Sequence, residues 1–115
     1  MMILLYHNTR CKISREALKI LQDNAQDYKV IEYMKTPLSM EDIKDLLIRL
    51  NLSPQQLLRK NERLFRQNYK GLEFNDEEWI KVMSENPVLI ERPIAVKGSK
   101  AIIARPSQRI LYLIK

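Results

Sequence analysis

The chain has 115 residues, a formal net charge of +6 and hydrophobic residues at 45% of its positions. This length and composition predict one globular domain with a single core, and they exclude a disordered chain. No apolar stretch approaches the roughly 20 residues of a membrane span, and residues 1–6 are too short for the core of a signal peptide.

Cysteine and histidine each occur only once in the sequence. A single cysteine excludes an internal disulfide framework, so we expect a protein of the reducing cytoplasm. Together the two counts argue against a structural zinc site, and we expect no bound metal or cofactor. The positive charge favours an anionic partner, that is, nucleic acid, an acidic protein or a small oxyanion. No basic stripe is interleaved with aromatic residues, which argues against nucleic acid.

The first third of the chain predicts a βαβ unit. Residues 2–6 read as a short buried strand, a helix begins at about Ser14 with its hydroxyl as a cap, and residues 29–33 read as a second strand. Two strands joined in this way run parallel, with a right-handed crossover.

The rest of the chain predicts a helical segment, a hairpin and a last helix. Ser39 is the expected N-cap of one helix, a short helix runs from Ser53 through Arg59, a turn or loop follows at 67–71, and another helix opens at Asn75. Two strands, 94–97 and 100–104, flank the turn Gly98-Ser99, and a final helix starts at 105–107. This order predicts an α/β fold with a mixed four-stranded sheet.

Cys11 lies where the first strand pattern gives way to the first helix pattern. A helix N-terminus lowers the pKa of a thiol through its free amides, and the neighbouring cations Arg10, Lys12 and Arg15 act in the same direction. The alternative is a buried, inert thiol, but the charged neighbours argue against an apolar burial site. The placement therefore predicts a reactive thiolate.

Several separated motifs together resemble those of the glutaredoxin-coupled bacterial arsenate reductases. The chain is similar to a short-form member of that family. The resemblance covers essentially the whole chain in the right order. One departure is Thr9, which stands where many relatives carry proline. The motifs are Tyr6-His7-Asn8, Cys-x-x-Ser at 11–14, Ser14-Arg15-Glu16, Leu57-Leu58-Arg59-Lys60, the run 86–94 and Ala104-Arg105-Pro106.

This resemblance implies one thioredoxin-like domain over residues 1–115, with a helical insertion at about 38–86, that reduces arsenate to arsenite. It assigns Cys11 to attack on the arsenic and His7 to holding the thiolate, with Ser14 able to hydrogen-bond the sulfur. It implies a cis peptide bond before Pro93. It also implies an external thiol reductant, glutathione with glutaredoxin or thioredoxin. The oxyanion would be bound by Arg59, Arg92 and Arg105.

Two other functions remain open from the sequence. The first is a glutaredoxin-like oxidoreductase that acts on glutathione mixed disulfides, with the arginines holding a carboxylate. The second is a non-enzymatic thiol-stress regulator that binds RNA polymerase. Such regulators often carry Cys-x-x-Cys, whereas Ser14 occupies the second position here.

Overall fold

A computed structural model describes residues 2–24 and 26–114. Different parts of the chain form two compact units. The sheet unit comprises Met1–Thr36 and Arg92–Lys115. The helical unit comprises Pro37–Glu91, which contains the segment expected to be a helical insertion. Within the described residues, no helix combines the length and apolar character needed to cross a membrane.

Apart from the helix Arg63–Asn68 and two 3-10 helices, the elements follow the order expected from the sequence. A 3-10 helix at Pro87–Leu89 precedes β3, and a second one at Ser107–Ile110 precedes the last α-helix. The strands and α-helices are β1 (Ile3–Tyr6), α1 (Lys12–Asp23), β2 (Tyr28–Ile31), α2 (Met40–Leu50), α3 (Pro54–Leu57), α4 (Arg63–Asn68), α5 (Asp76–Glu85), β3 (Ile94–Lys97), β4 (Lys100–Ile103) and α6 (Leu111–Ile114).

The four strands form one mixed sheet in the order β2-β1-β3-β4. β1 pairs with β2 in parallel and with β3 antiparallel, and β3 and β4 form the antiparallel hairpin. This arrangement confirms the predicted mixed four-stranded sheet. In the register, Tyr6 is opposite Ile31 and Ile94, and Ile94 is opposite Ile103. The end of β1, the start of β3 and the end of β4 therefore meet at one edge of the sheet.

Apolar side chains from α1, the sheet and the C-terminal segment form the core of the sheet unit. Strand alternation directs Ile3 and Leu5 to one face, and helical spacing directs Ala17 and Leu21 to the face of α1 that covers it. The helix is thereby fixed across the sheet. The fully or almost fully buried members are Ile3, Leu5, Ala17, Leu21, Ala95, Ala104, Ile110 and Leu113.

Capping and an aromatic cluster organise the helical unit. Ser39 caps α2 as predicted, because its hydroxyl accepts from the Asp42 amide and the Asp42 carboxylate accepts from the Ser39 amide. Asn75 and Glu78 form the same reciprocal box at α5. Trp79 is buried, as its place on the inner face of α5 predicts. The rings that pack together are Phe65, Tyr69, Phe74 and Trp79.

The predicted start of α1 is wrong. The helix begins at Lys12, with Cys11 rather than Ser14 as its N-cap, because Cys11 is extended (φ −94°, ψ 121°) and its carbonyl accepts the first helical bond from Arg15. Ser14 lies inside the first turn and is fully buried. The expected strand at 29–33 also differs, since it begins at Tyr28 and ends at Ile31.

Three further differences concern where elements begin or end. α3 ends at Leu57 instead of reaching Arg59, because Leu58 becomes extended and pairs with Ile90. α4 occupies part of the expected turn at 67–71, and the chain turns after it, with Gly71 at φ +83°. β4 ends at Ile103, and the last helix starts with one 3-10 turn before α6.

Replacing Leu21 with alanine should destabilise the sheet unit. The side chain is fully buried between α1 and the sheet, so its loss removes transfer free energy and leaves a cavity. We expect the free energy of unfolding to fall by about 2–5 kcal/mol in urea titrations.

The matched control is Lys19→Ala on the same helix. Lys19 is exposed and forms an ion pair with Asp23 at 3.1 Å on the protein surface, so its loss should change the free energy of unfolding by less than about 0.5 kcal/mol. Equal effects of the two substitutions would contradict the assignment of Leu21 to the core.

Candidate active site

A hydrogen-bonded loop connects β1 to α1 and sets the position of Cys11. The His7 amide donates to the Ile31 carbonyl at 2.9 Å, and the Cys11 amide donates to the Asn8 carbonyl at 3.0 Å, which closes a turn. The Arg10 amide donates to the Asn8 side-chain oxygen at 3.0 Å. Thr9 occupies the second position of this turn, where proline is favoured but not required. The loop thus forms this turn with Thr9, and without a proline, at its second position.

Cys11 is a free cysteine at the N-terminus of α1, with 8% of its surface exposed. Burial alone raises the pKa of its thiol. The Ser14 backbone amide and the guanidinium groups of Arg92 and Arg105 act in the opposite direction and prevail, so the pKa lies below its ordinary value. Hydrogen-bond donors and cations beside an acidic group favour its charged form, so the thiolate is the form that these groups stabilise.

Sheet topology brings Arg92 and Arg105 to the same sulfur. Arg92 precedes β3 by two residues and Arg105 follows β4 by two residues, and these two ends are paired in the register. Arg105 Nη1 donates to the Arg92 carbonyl at 3.1 Å, which ties the two segments together. The Ala104 amide also donates to the Pro93 carbonyl at 2.8 Å. The two guanidinium groups are therefore neighbours because the hairpin holds their backbones side by side.

The Arg92–Pro93 peptide bond is cis in the structure, as the family resemblance implies. The Arg105–Pro106 peptide bond is also cis, and sequence analysis did not anticipate it. Both bonds directly follow an arginine of the site. The only sequence signal for the second bond is an Arg-Pro dipeptide, which by itself favours the trans form.

His7 and Ser14 form a buried polar pair beneath the loop. His7 Nδ1 lies 2.6 Å from Ser14 Oγ, and the Asn8 amide donates to the same oxygen at 3.1 Å. Burial lowers the pKa of His7, the Glu32 carboxylate opposes this, and Arg15 adds to it, so the imidazole is neutral at pH 7. The Ser14 hydroxyl is thus engaged by the loop, and it is the Ser14 backbone amide that acts on the sulfur of Cys11.

Arg59, the third arginine expected from the resemblance, belongs to the helical unit. Its guanidinium forms ion pairs at 3.5 Å with Glu62 and with Glu91, and its side chain is only 16% exposed. The Arg59 amide also donates to the Leu89 carbonyl at 2.8 Å. Within its own unit, Arg59 is therefore a held and partly neutralised cation, and its part in anion binding stays a prediction.

The sheet unit places a cysteine whose thiol pKa is lowered beside two guanidinium groups. Guanidinium groups present planar pairs of donors that match tetrahedral oxyanions, and the free amides at the start of a helix add further donors. Among residues 2–24 and 26–114, no group of three or more metal-ligating side chains is present. The arrangement suits nucleophilic attack on a bound anion.

Comparison with known proteins identifies the family to which this fold and this site belong. Residues 6–113 match the model of the ArsC family. The chain is 38% identical to the uncharacterized protein YfgD of Escherichia coli, with 96% of this chain and 94% of that protein covered. It is 30% identical to an arsenate reductase of Haemophilus influenzae, with 99% of this chain and 100% of that protein covered.

Structural comparison agrees with the sequence matches. The solved arsenate reductase from Vibrio cholerae superposes with a TM-score of 0.93 at 34% identity, with 97% of each chain covered. The two-unit fold, with its four-stranded mixed sheet, is thus the thioredoxin-like fold of these relatives. Since both the family match and the superposition span nearly all of its length, the chain belongs to the ArsC family.

Proposed function

We propose that the protein is a monothiol reductase of arsenate or a related tetrahedral oxyanion, with Cys11 as its nucleophile. The observation that carries this proposal is the position of Arg92 and Arg105, which both lower the pKa of the same thiol. A site for an apolar or cationic substrate would have no use for two guanidinium groups beside a thiolate. Membership of the ArsC family and the names of its relatives support the choice of arsenate.

Anion binding is the first task of the site. Arg92 and Arg105 would each donate in pairs to oxygens of the anion, and both stay charged at any physiological pH. The amides at the start of α1 would add donors on the side of Cys11. We include Arg59 as a third anion-binding residue because of its family motif, with Glu62 and Glu91 fixing the orientation of its guanidinium.

The covalent step begins when the Cys11 thiolate attacks the arsenic of the bound anion. A sulfur–arsenic bond forms as one oxygen leaves as water. A glutathione thiol then attacks the Cys11 sulfur, and the electron pair of the sulfur–arsenic bond passes to arsenic, which falls from the +5 to the +3 state. The sum is one arsenic acid and two thiols giving one arsenous acid, one mixed disulfide and one water.

An external thiol is required because this chain has one cysteine. The mixed disulfide between Cys11 and glutathione cannot be resolved within the 115 residues, so a second thiol must exchange with it. We propose glutaredoxin, or thioredoxin, for this step. The lowered pKa of Cys11 favours two steps. It favours the thiolate that attacks arsenate, and it favours Cys11 as the leaving thiolate when the mixed disulfide is reduced.

His7 and Ser14 are proposed as positioning residues. The neutral imidazole holds the Ser14 hydroxyl at 2.6 Å, and the hydroxyl accepts from the Asn8 amide, so the loop and the first turn of α1 are fixed together. This keeps the Ser14 amide against the sulfur. Their contribution is thus geometric, since a neutral histidine adds no positive charge to the site.

Arginine substitutions test the anion site. Arg92→Ala and Arg105→Ala should each lower kcat/KM for arsenate by about 10²-fold or more, because each removes donors that stabilise charge in the transition state. Lysine at either position should restore only part of the activity, since it lacks the planar fork. Steady-state turnover with glutathione and glutaredoxin measures the effect. Lys100→Ala, an exposed cation of the same unit, is the control and should leave turnover unchanged.

Near-wild-type turnover in both alanine variants would contradict the proposed anion site. Melting temperatures of the variants should stay close to that of the wild type. A large fall would assign the arginines to the fold instead.

Mass spectrometry of the intermediate tests the covalent scheme. Anaerobic incubation with arsenate and reduced glutathione should give one glutathione per chain, attached through a disulfide, because arsenate supplies the oxidising equivalents. The adduct should be absent in Cys11→Ser and absent when arsenate is omitted. An adduct that forms equally well without arsenate would contradict the reductase scheme and favour exchange on glutathione mixed disulfides.

A further inference from the structure

The positive charge of the chain is concentrated in the unit that carries Cys11. By sequence, the sheet unit holds twelve lysines and arginines against four aspartates and glutamates, a formal charge of +8. The helical unit holds eight against ten, a formal charge of −2. The net positive charge of the protein therefore comes from the sheet unit.

Part of this positive charge lies at the start of α1, where it is unfavourable for the helix. α2 and α5 both have acidic residues in their first turns, as the helix dipole favours, whereas α1 has none. Exposed Arg10, Lys12 and Arg15 surround its N-terminus instead. Cations at this end of a helix oppose the helix dipole and so lower the stability of the helix. A cluster that opposes stability in this way indicates a role outside the fold.

The C-terminal segment packs against the same helix. The 3-10 helix Ser107–Ile110 contacts α1 and begins two residues after Arg105, which acts on the Cys11 sulfur. It carries the exposed Arg109. Next to Arg109 lies a cleft of about 290 Å³ that Pro106, Leu111 and Tyr112 help to line. Tyr112 is 81% exposed. Tyrosine and arginine are enriched among the residues that anchor protein interfaces.

We define the basic collar as Arg10, Lys12, Arg15 and Arg109. Within residues 2–24 and 26–114, none of the four forms an ion pair with a carboxylate. Arg15 donates to the Thr9 carbonyl, which is neutral. The collar is thus a set of exposed charges left unneutralised by the surrounding protein.

We propose that the basic collar and Tyr112 form the docking surface for a protein thiol reductant with an acidic surface around its own thiol. This rests on the proposed function, in which an external thiol resolves the Cys11 mixed disulfide. A small oxyanion is served by Arg92 and Arg105, which act directly on the Cys11 sulfur, whereas none of the four collar cations is among the groups that lower the pKa of Cys11. An acidic protein face engages the whole collar at once, and the cleft beside Tyr112 offers it an apolar anchor.

The chemistry at this surface is one thiol–disulfide exchange. The thiolate of the reductant attacks the glutathione sulfur of the mixed disulfide, and the bond to Cys11 breaks. Its electron pair leaves on the Cys11 sulfur as a thiolate, which its lowered pKa favours. The glutathione is carried away on the reductant as a new disulfide, and a second thiol of the reductant then releases it.

The test uses the full chain glutathionylated at Cys11 with oxidised glutathione, so that it is independent of arsenate. Its rate of reduction is measured with an acidic dithiol glutaredoxin and, separately, with dithiothreitol. Lys12→Gln/Arg109→Gln removes two charges of the collar. The control, Lys97→Gln/Lys100→Gln, removes two charges at the hairpin turn, which the sheet register places at the opposite end of the strands from the Cys11 loop.

We expect the collar variant to react about tenfold more slowly with glutaredoxin at low salt, to lose most of the salt dependence, and to react normally with dithiothreitol. The control variant should match the wild type in all three respects, and Tyr112→Ala should slow only the glutaredoxin reaction. Equal slowing with dithiothreitol, equal slowing in the control variant, or no slowing at all would each overturn the docking surface. Normal arsenate turnover alongside any of these results would leave the proposed function intact.

Discussion

The competition between burial and charge at Cys11 is the constraint on which the site depends. Burial disfavours the thiolate, so the fold must supply donors that favour it more strongly. These donors come from two distant parts of the chain, since Ser14 lies three residues after Cys11 and Arg92 and Arg105 come from the ends of the hairpin. The pairing of β3 with both β1 and β4 is what brings them to one sulfur.

The need to hold Cys11 beside these donors gives a reason for the hydrogen bonds in the loop before α1. A thiolate at an N-cap gains from the amides of the first turn only if the cap residue is held in an extended conformation at the helix start. The turn closed by Asn8 and the buried contact of His7 with Ser14 hold it there. Because the guanidinium groups are already in place before an anion binds, the site needs little reorganisation during the reaction.

Local signals in the sequence predicted much of the fold. The capping residues Ser39 and Asn75 and the hairpin turn at Gly98 each depend on neighbours a few positions away, and each is found in the structure. The differences arise where distant residues intervene. The pairing of Leu58 with Ile90 ends α3 early, which local propensity cannot show.

The candidate site shows the same division. The position of Cys11 at a helix start follows from local pattern, but the cations that act most on its pKa are Arg92 and Arg105 rather than the adjacent Arg10, Lys12 and Arg15. The adjacent three are exposed, and water screens an exposed charge. The distant arginines were found only through family motifs, because no spacing rule links positions 11, 92 and 105.

The pH dependence of Cys11 alkylation is the direct test of whether Arg92 and Arg105 stabilise the thiolate. With a neutral alkylating reagent, the rate follows the thiolate fraction and reports the pKa of the thiol. We expect an apparent pKa below that of a free cysteine, about 8.5, and a rise in that pKa in both Arg92→Gln and Arg105→Gln. A wild-type pKa at or above that of free cysteine, or one that neither substitution moves, would contradict this stabilisation.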